Sequence, residues 1–206
     1  EIPIMDGSAK NFLEILNQTE IQILSKKRKY LKVLNKVELI DGSRKISIEP
    51  NETFEVDFQL NYENKVIGNQ RNLVNFDNDN LEDVSKSRTF CLFEDIEVIK
   101  KAGLAKGGSL DNAIVVDKDK VLNEGGLRNV KEFVNHKILD LAGDFLLSGY
   151  RIIGKVKCYQ GGHELTNMFL RKLLNSKKAI NSIQLNNVVI AESSSPVHQT
   201  KVAVSA

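Results

Sequence analysis

The sequence predicts an α+β fold, in which strands dominate the first half and the two longest helices lie in the second. Residues 52–62 alternate apolar Phe54, Val56, Phe58 and Leu60 with polar neighbours, which is typical of a half-buried strand with one wet face. Residues 130–148 repeat apolar side chains at helical spacing and therefore indicate a long helix that packs on one side.

The other elements of the first half follow from local patterns. Ser8 can cap a helix that runs through Phe12, Leu13 and Leu16. Strands are predicted for residues 29–40 and 45–48, joined by a turn at Asp41-Gly42, and for residues 68–76. A short helix over residues 77–87 and a strand over residues 88–93 complete this half.

The second half alternates helices and strands. Residues 94–102 are predicted to form a helix that Gly103 ends, followed by a Gly-rich turn and a strand over residues 112–116. A strand over residues 150–159, a Gly161-Gly162 turn and a helix over residues 164–175 come after the long helix. Residues 193–206 are polar and are predicted to be a flexible tail. The long helix has an apolar side made of Val130, Phe133, Val134, Ile138, Leu141 and Phe145.

Composition excludes several classes of function. The chain of 206 residues has a net charge of only +2 and no basic run interleaved with aromatics, so we expect no nucleic-acid partner. Its apolar stretches are too short to span a membrane. Two cysteines make no disulfide framework, which fits a cytoplasmic protein. The first residues carry neither an initiator Met nor a signal peptide, so we expect the chain to be the interior of a longer protein.

The segment from His136 to Asp144 is the strongest indication of chemistry. His136, Asp140 and Asp144 follow one another at intervals of four residues, which places them on one face of the long helix. Burial of such groups is costly unless they are neutralised or ligated, and an imidazole and a carboxylate one turn apart can share one Zn²⁺. The same spacing is also that of a surface pair or of a satisfied core histidine.

A second histidine, His163, follows the Gly-Gly turn and opens the next predicted helix. A helix N-terminus disfavours the imidazolium, whereas a nearby carboxylate such as Asp144 favours it. A histidine under these opposing influences is a candidate general acid, and the alternative is a histidine that merely caps the helix.

Seven stretches of the chain, taken together and in order, resemble the UDP-3-O-acyl-N-acetylglucosamine deacetylases, the zinc enzymes of lipid A biosynthesis. The resemblance covers nearly the whole chain. The stretches are Met5-Asp6-Gly7-Ser8, Asn69-Gln70-Arg71, Ser87-Arg88-Thr89-Phe90, Gly107-Gly108-Ser109, residues 121–128, residues 136–144 and Gly162-His163.

The resemblance implies a β-α-α-β layered sandwich, with an active site between two similar domains. Residues 1–31 would be the end of the first domain and residues 32–192 the second, with a β-α-β insert at about residues 91–124. In the family this insert forms a hydrophobic passage for the acyl chain of the substrate. The residues that match the passage and its Gly-rich turn are Ile96, Ser109, Leu110, Ala113 and Val115.

The resemblance also implies roles at the reacting centre. His136 and Asp140 match two of three protein ligands of one catalytic Zn²⁺, and the third ligand, with the glutamate general base, is expected upstream of Glu1. His163 matches the general acid, Asp144 the carboxylate that orients it, and Thr89 a hydroxyl that stabilises the oxyanion. The residues that match contacts to the glucosamine, the phosphates and the uracil are Phe90, Lys137 and Tyr62 respectively.

The function implied is zinc-dependent hydrolysis of the acetamide of an acylated UDP-sugar, by a cytoplasmic monomer that needs its N-terminal segment. Two alternatives stay open at this stage. In the first, the chain on its own is a non-catalytic portion that binds nucleotide sugar or acyl groups. In the second, the protein is a zinc amidohydrolase with another substrate. A purely structural role for the protein would give no reason for the polar stripe of His136, Asp140 and Asp144.

Overall fold

The computed structural model describes residues 3–185 and has the predicted α+β architecture. The strands are β1 Arg28–Val33, β2 Val37–Asp41, β3 Arg44–Glu49, β4 Phe54–Asn61, β5 Asn69–Asn75, β6 Phe90–Leu92, β7 Ile114–Asp117, β8 Lys120–Val121, β9 Arg151–Tyr159 and β10 Ile180–Leu185. The helices are α1 Lys10–Asn17, α2 Glu82–Lys86, α3 Ile96–Lys101, α4 Glu132–Leu146 and α5 His163–Asn175.

The main sheet has seven strands and is organised around β9. Strand β9 pairs in parallel with β1 and β4 and antiparallel with β3, while β2, β5 and β10 extend the sheet beyond these partners. The β4–β5 register places Val56 opposite Val74, and both are buried. The predicted alternation of β4 therefore matches its position, with one face against the core.

The prediction of one continuous strand over residues 29–40 is wrong, because residues 34–36 leave the strand conformation and separate β1 from β2. The N–H groups of Leu34 and Asn35 donate to the carbonyl of Ala179 over 2.8 and 3.3 Å, and the Asn35 side chain donates to the Lys178 carbonyl over 3.0 Å. These hydrogen bonds connect the segment between β1 and β2 to the turn before β10. Strand β10 was not predicted from local patterns. Contacts between residues far apart in sequence thus decide where β1 ends.

Helices α4 and α5 pack together on the sheet and enclose the main core. Phe145 of α4 contacts Phe54 of β4 and Phe169 of α5, with ring centroids 5.9 and 6.1 Å apart. The predicted apolar side of the long helix is buried except at its first residue. Val130 is 86% exposed because it precedes the start of α4 at Glu132, so its predicted core position is wrong.

A separate three-stranded sheet carries the predicted insert. Strand β6 runs parallel to β7, and α3 lies in the connection between them, which gives the expected β-α-β unit. The short strand β8, which was not predicted, adds antiparallel to β7. Gly103 follows α3 with a φ of +75°, a left-handed conformation that suits glycine and ends the helix.

Strand β1 extends across the predicted domain division at residue 31 and pairs with β9 and β10 of the main sheet. The division itself stays a prediction. The predicted tail at residues 193–206, like residues 186–192, lies outside the described residues. Within residues 3–185, none of the helices has the length and apolar character required to cross a bilayer.

Candidate active site

The imidazole of His136 lies between two hydrogen-bond acceptors. One is the Asp140 carboxylate on α4, and the other is the Ser87 carbonyl in the segment before β6. The imidazole Nδ1–H donates a hydrogen bond to the Ser87 carbonyl over 3.1 Å, and Nε2 is 3.3 Å from Oδ1 of Asp140. His136 is only 8% exposed, and this burial lowers its pKa although the Asp140 carboxylate acts in the opposite direction. The lowered pKa favours the neutral imidazole, and donation from Nδ1 to the Ser87 carbonyl leaves the Nε2 lone pair directed toward Asp140.

Asp140 lies at the centre of a polar cluster. Its Oδ2 accepts a hydrogen bond from Nζ of Lys137 over 3.1 Å and lies 4.0 Å from Nε2 of His163. The Asp140 side chain is 20% exposed, so it faces a partly enclosed space rather than open solvent. The i, i+4 spacing thus places His136 and Asp140 side by side, as the sequence predicted.

His163 joins the cluster from α5. Gly162 precedes the helix in an extended conformation, and His163 is the first helical residue. Its Nδ1 lies 2.9 and 3.1 Å from the two carboxylate oxygens of Asp144, one turn beyond Asp140 on α4. Asp144 is mostly buried, whereas His163 is 68% exposed, so the imidazole is oriented by a fixed carboxylate and remains accessible to a ligand.

The His136–Asp140 pair fits part of a metal site. With its proton on Nδ1, the imidazole presents a lone pair to a carboxylate oxygen 3.3 Å away, and a cation between two such acceptors would satisfy both. The Ser87 carbonyl supplies the outer hydrogen bond that metal-binding histidines usually make. No group of three or more His, Cys, Asp or Glu residues arranged to hold a metal occurs within residues 3–185. The expectation of a third ligand upstream stays a prediction.

Aromatic side chains form a wall beside the polar cluster. The Phe90 ring makes edge contacts with Tyr62 and Phe133, with centroids 6.0 and 5.0 Å apart. Lys137 Nζ lies 5.6 Å from the centroid of Phe90 while it also contacts Asp140. Tyr62, Phe90 and Lys137 are thus neighbours at one edge of the His–Asp cluster. They are the residues predicted to contact the uracil, the glucosamine and the phosphates.

An apolar cavity of about 590 Å³ opens in the insert. Every residue predicted to line the acyl passage lines this cavity, and both Thr89 and Phe90 also contribute to its wall. Thr89 is held there by its backbone, whose N–H donates to Gly7 over 2.9 Å and whose carbonyl accepts from Ile114 over 2.7 Å. The residues predicted for the passage are Ile96, Leu110, Ala113 and Val115, and Ser109 of the Gly-rich turn, which was also predicted to bind substrate, lines the cavity with them.

A buried ion pair between Glu132 and Arg88 was not predicted. Glu132 has no exposed surface and accepts hydrogen bonds from the Arg88 side chain over 2.8 and 3.2 Å. It also accepts the backbone N–H groups of Arg88 over 3.1 Å and Arg128 over 2.6 Å. The available signal was that Glu132 precedes His136 by four residues, and so begins the same polar stripe on α4.

The Asp6-Gly7-Ser8 motif docks against the insert. Arg128 donates to the Asp6 carboxylate over 2.8 Å and to the Ser8 hydroxyl over 3.3 Å. Gly7 has a φ of +79°, and a Cβ atom there would lie 2.1 Å from the Asn112 carbonyl oxygen. Only glycine allows this close approach, which explains part of the motif structurally.

The fold and site are those of an α+β protein that carries a His–carboxylate cluster beside an apolar cavity. Over residues 1–175 the chain matches the family model for UDP-3-O-acyl N-acetylglycosamine deacetylase. It belongs to this family.

Curated relatives agree with this assignment. The chain is 39% identical to the UDP-3-O-acyl-N-acetylglucosamine deacetylase of Syntrophotalea carbinolica, over 84% of this chain and 57% of that relative. It is 40% identical to the corresponding protein of Nautilia profundicola, over 84% and 60% respectively, and 41% identical to that of Pseudomonas entomophila, over 84% and 58%. The chain therefore spans between 57% and 60% of the length of these relatives.

Proposed function

We propose that the protein containing this chain hydrolyses the acetamide of UDP-3-O-acyl-N-acetylglucosamine, in the biosynthesis of lipid A. The products are acetate and the free amine of the glucosamine. The observation that carries the proposal is the position of His163 between two carboxylates, 2.9 Å from Asp144 and 4.0 Å from Asp140, next to a buried histidine. Family membership supplies the substrate, since the relatives are named for it.

Zinc is part of the proposal, because His136 Nε2 and Asp140 Oδ1 form a matching donor pair. A bound zinc ion would acidify a water molecule and polarise the amide carbonyl. We expect the remaining protein ligand and the general base to come from residues that this chain does not contain. Residues of this chain are proposed to stabilise the oxyanion and to protonate the leaving nitrogen.

His163 is proposed to protonate the leaving nitrogen. As the amide C–N bond breaks, the proton on Nε2 passes to the nitrogen, and the amine leaves in neutral form. Asp144 accepts the hydrogen bond from Nδ1, so Nε2 is the nitrogen directed toward the reacting centre. Thr89 is proposed to donate its hydroxyl proton in a hydrogen bond to the developing oxyanion, a contribution worth about 3 kcal/mol for one well-placed donor.

The cavity in the insert is proposed to hold the acyl chain of the substrate. Its lining by Ile96, Leu110, Ala113 and Val115 suits a hydrocarbon, which gains free energy by leaving water. Phe90 and Lys137 lie between this cavity and Asp140, where a sugar with an attached phosphate would pass. Phe90 would contact the glucosamine, Lys137 the diphosphate and Tyr62 the uracil.

The test is acetate release from the acylated UDP-sugar by the full-length protein. His163→Ala should lower kcat at least about 100-fold, since a general acid contributes about 10²–10⁴. Glu164→Gln is the matched control, because Glu164 is the next residue on α5, is exposed and pairs with Arg44. Near-normal turnover by His163→Ala would refute the assigned role.

A second candidate concerns this chain on its own. Within residues 3–185 the polar cluster offers two adjacent metal donors, His136 and Asp140, whereas catalytic zinc normally takes three protein ligands. The isolated chain would then bind the acylated nucleotide sugar without hydrolysing it. Binding of the substrate to the isolated chain without acetate release, beside full activity of the longer protein, would support this division.

A further inference from the structure

Glu132 connects the metal-ligating face of α4 to the segment before β6. It is the first residue of α4, one turn before His136, and its carboxylate is fully buried. Four donors surround it within 3.2 Å: the N–H, Nε and Nη2 of Arg88, and the N–H of Arg128. Both oxygens therefore accept two hydrogen bonds each.

The residues on either side of Arg88 contact the proposed reacting centre. The Ser87 carbonyl accepts a hydrogen bond from Nδ1–H of His136 over 3.1 Å. Thr89, the next residue after Arg88, lines the apolar cavity and carries the hydroxyl assigned to the oxyanion. Glu132 fixes the N–H of Arg88 itself, so it restrains the backbone between these two groups.

We propose that Glu132 and Arg88 are positioning residues, which hold the Ser87 carbonyl where it fixes the tautomer and ring orientation of His136. The inference rests on the proposed function, in which His136 is a metal ligand. Neither Glu132 nor Arg88 lines the apolar cavity, so both would act through Ser87 and Thr89. The chemistry is that of an outer hydrogen-bond shell, which sets which imidazole nitrogen carries the lone pair.

A purely structural ion pair would behave differently. Replacement of a buried ion pair is often neutral for stability, and removal of one partner destabilises any fold in which it lies. The positioning role instead predicts an effect on His136 that other ion pairs of the molecule do not have. Asp57 and Arg71 provide the comparison, because they form a bidentate pair over 2.8 and 2.6 Å on strands β4 and β5.

The experiment uses the full-length protein with Glu132→Gln, Arg88→Lys and, as the control, Asp57→Asn. Zinc affinity is measured by competition with a chelator. The imidazole ¹⁵N shifts of His136 are measured in metal-free protein at pH 8, where they report the tautomer directly. Thermal unfolding of each variant, and kcat and KM for acetate release, complete the set.

We expect Glu132→Gln to weaken zinc binding about tenfold or more and to lower kcat by a similar factor, as outer-shell substitutions commonly do. The ¹⁵N chemical shifts of His136 should change from the values of the Nδ1–H tautomer toward those of a mixture of the Nδ1–H and Nε2–H tautomers. Arg88→Lys, which keeps the charge, should change the same quantities in the same direction by a smaller factor. Asp57→Asn should leave the tautomer and zinc affinity as in the wild type, even at an equal loss of thermal stability.

The inference is overturned if Glu132→Gln keeps the wild-type tautomer and zinc affinity. If that variant does not fold, Arg88→Lys decides by the same two measurements. Measurement of the His136 tautomer requires neither turnover nor metal. A failure of the proposed function can therefore be distinguished from a failure of the positioning role. A wild-type protein that releases no acetate refutes the function, whereas a tautomer that still depends on Glu132 upholds the positioning.

Discussion

The Nδ1 atom of His163 lies 2.9 Å from Oδ2 of Asp144, across nineteen positions of sequence. This contact joins the start of α5 to the last residue of the polar stripe on α4, and it directs Nε2 of His163 toward Asp140, 4.0 Å away. A single carboxylate thereby orients the candidate acid toward the candidate metal ligand.

Asp144→Asn keeps a hydrogen-bond acceptor for Nδ1 of His163 but replaces a carboxylate, which contacts Nδ1 through both oxygens, by a neutral amide with one acceptor oxygen. We expect kcat to fall about 10- to 100-fold, because the imidazole is then held less firmly with Nε2 toward the reacting centre. KM should stay within about twofold, since the contact matters in the transition state. Steady-state kinetics measure both, with Glu55→Gln, which removes the ion pair to Lys155 on the sheet, as the control. An unchanged kcat would contradict the orienting role.

Cys91 offers a probe of the apolar cavity. It lines the cavity, and burial raises the pKa of its thiol, so alkylation should be slow but measurable at about pH 9. Saturation with the acylated UDP-sugar should slow the labelling of Cys91, whereas the same UDP-sugar without its acyl chain should not. Burial raises the pKa of Cys158 to about 12, so that thiol stays unlabelled in the folded protein. Labelling that is indifferent to both ligands would show that the acyl chain lies elsewhere.

Gly7→Ala should release the docked Asp6-Gly7-Ser8 motif. The new Cβ would meet the Asn112 carbonyl, and the φ of +79° would be strained for alanine, at a cost of about 1–3 kcal/mol from the strain alone. Because the Thr89 N–H donates to the Gly7 carbonyl, its hydrogen exchange should accelerate. Gly42→Ala is the control, since Gly42 also has a positive φ but no neighbour within 4 Å of its Cβ position. Equal exchange of Thr89 in both variants would contradict the docking.

The Asp57–Arg71 pair predicts a pH dependence of stability. The hydrogen bonds from Arg71 hold the pKa of Asp57 below its ordinary value of 3.8. The folded state therefore gains stability from this carboxylate above pH 3.8, and the gain is lost as the pH falls through the lower folded pKa. Arg71 is 66% exposed, so Asp57→Asn should cost only about 1 kcal/mol at pH 7. Denaturant unfolding of the wild type and of Asp57→Asn at pH 7 and pH 3 checks this. The prediction is contradicted if the difference in unfolding free energy between the two proteins is as large at pH 3 as at pH 7.

Much of the fold could be predicted from local patterns. The alternation in β4, the amphipathic stretch of α4 and the Gly161-Gly162 turn before α5 each depend on neighbouring residues alone. The adjacency of His136 and Asp140 followed from helix periodicity, and the structure confirms it. Asp144 was named as a candidate partner of His163 from the residues, although nineteen positions separate them, and the resemblance then implied its orienting role.

The errors lie where distant contacts decide the structure. The break between β1 and β2 is set by bonds to Ala179, which no local pattern around Leu34 contains. Strand β10 exists because it pairs with β1, about 150 residues earlier. Glu132 was missed because a glutamate at the start of a helix is usually a surface residue, and only the approach of Arg88 makes its burial favourable.

Zinc binding by the full-length protein tests the central claim most directly. Stoichiometry and affinity are compared between the wild type and Asp140→Ala, with Asp57→Asn as a carboxylate control on the sheet. The account predicts one tightly bound zinc in the wild type and in the control, and loss of that zinc in Asp140→Ala. Full zinc occupancy at unchanged affinity in Asp140→Ala would contradict the assignment of the His136–Asp140 pair as the metal site.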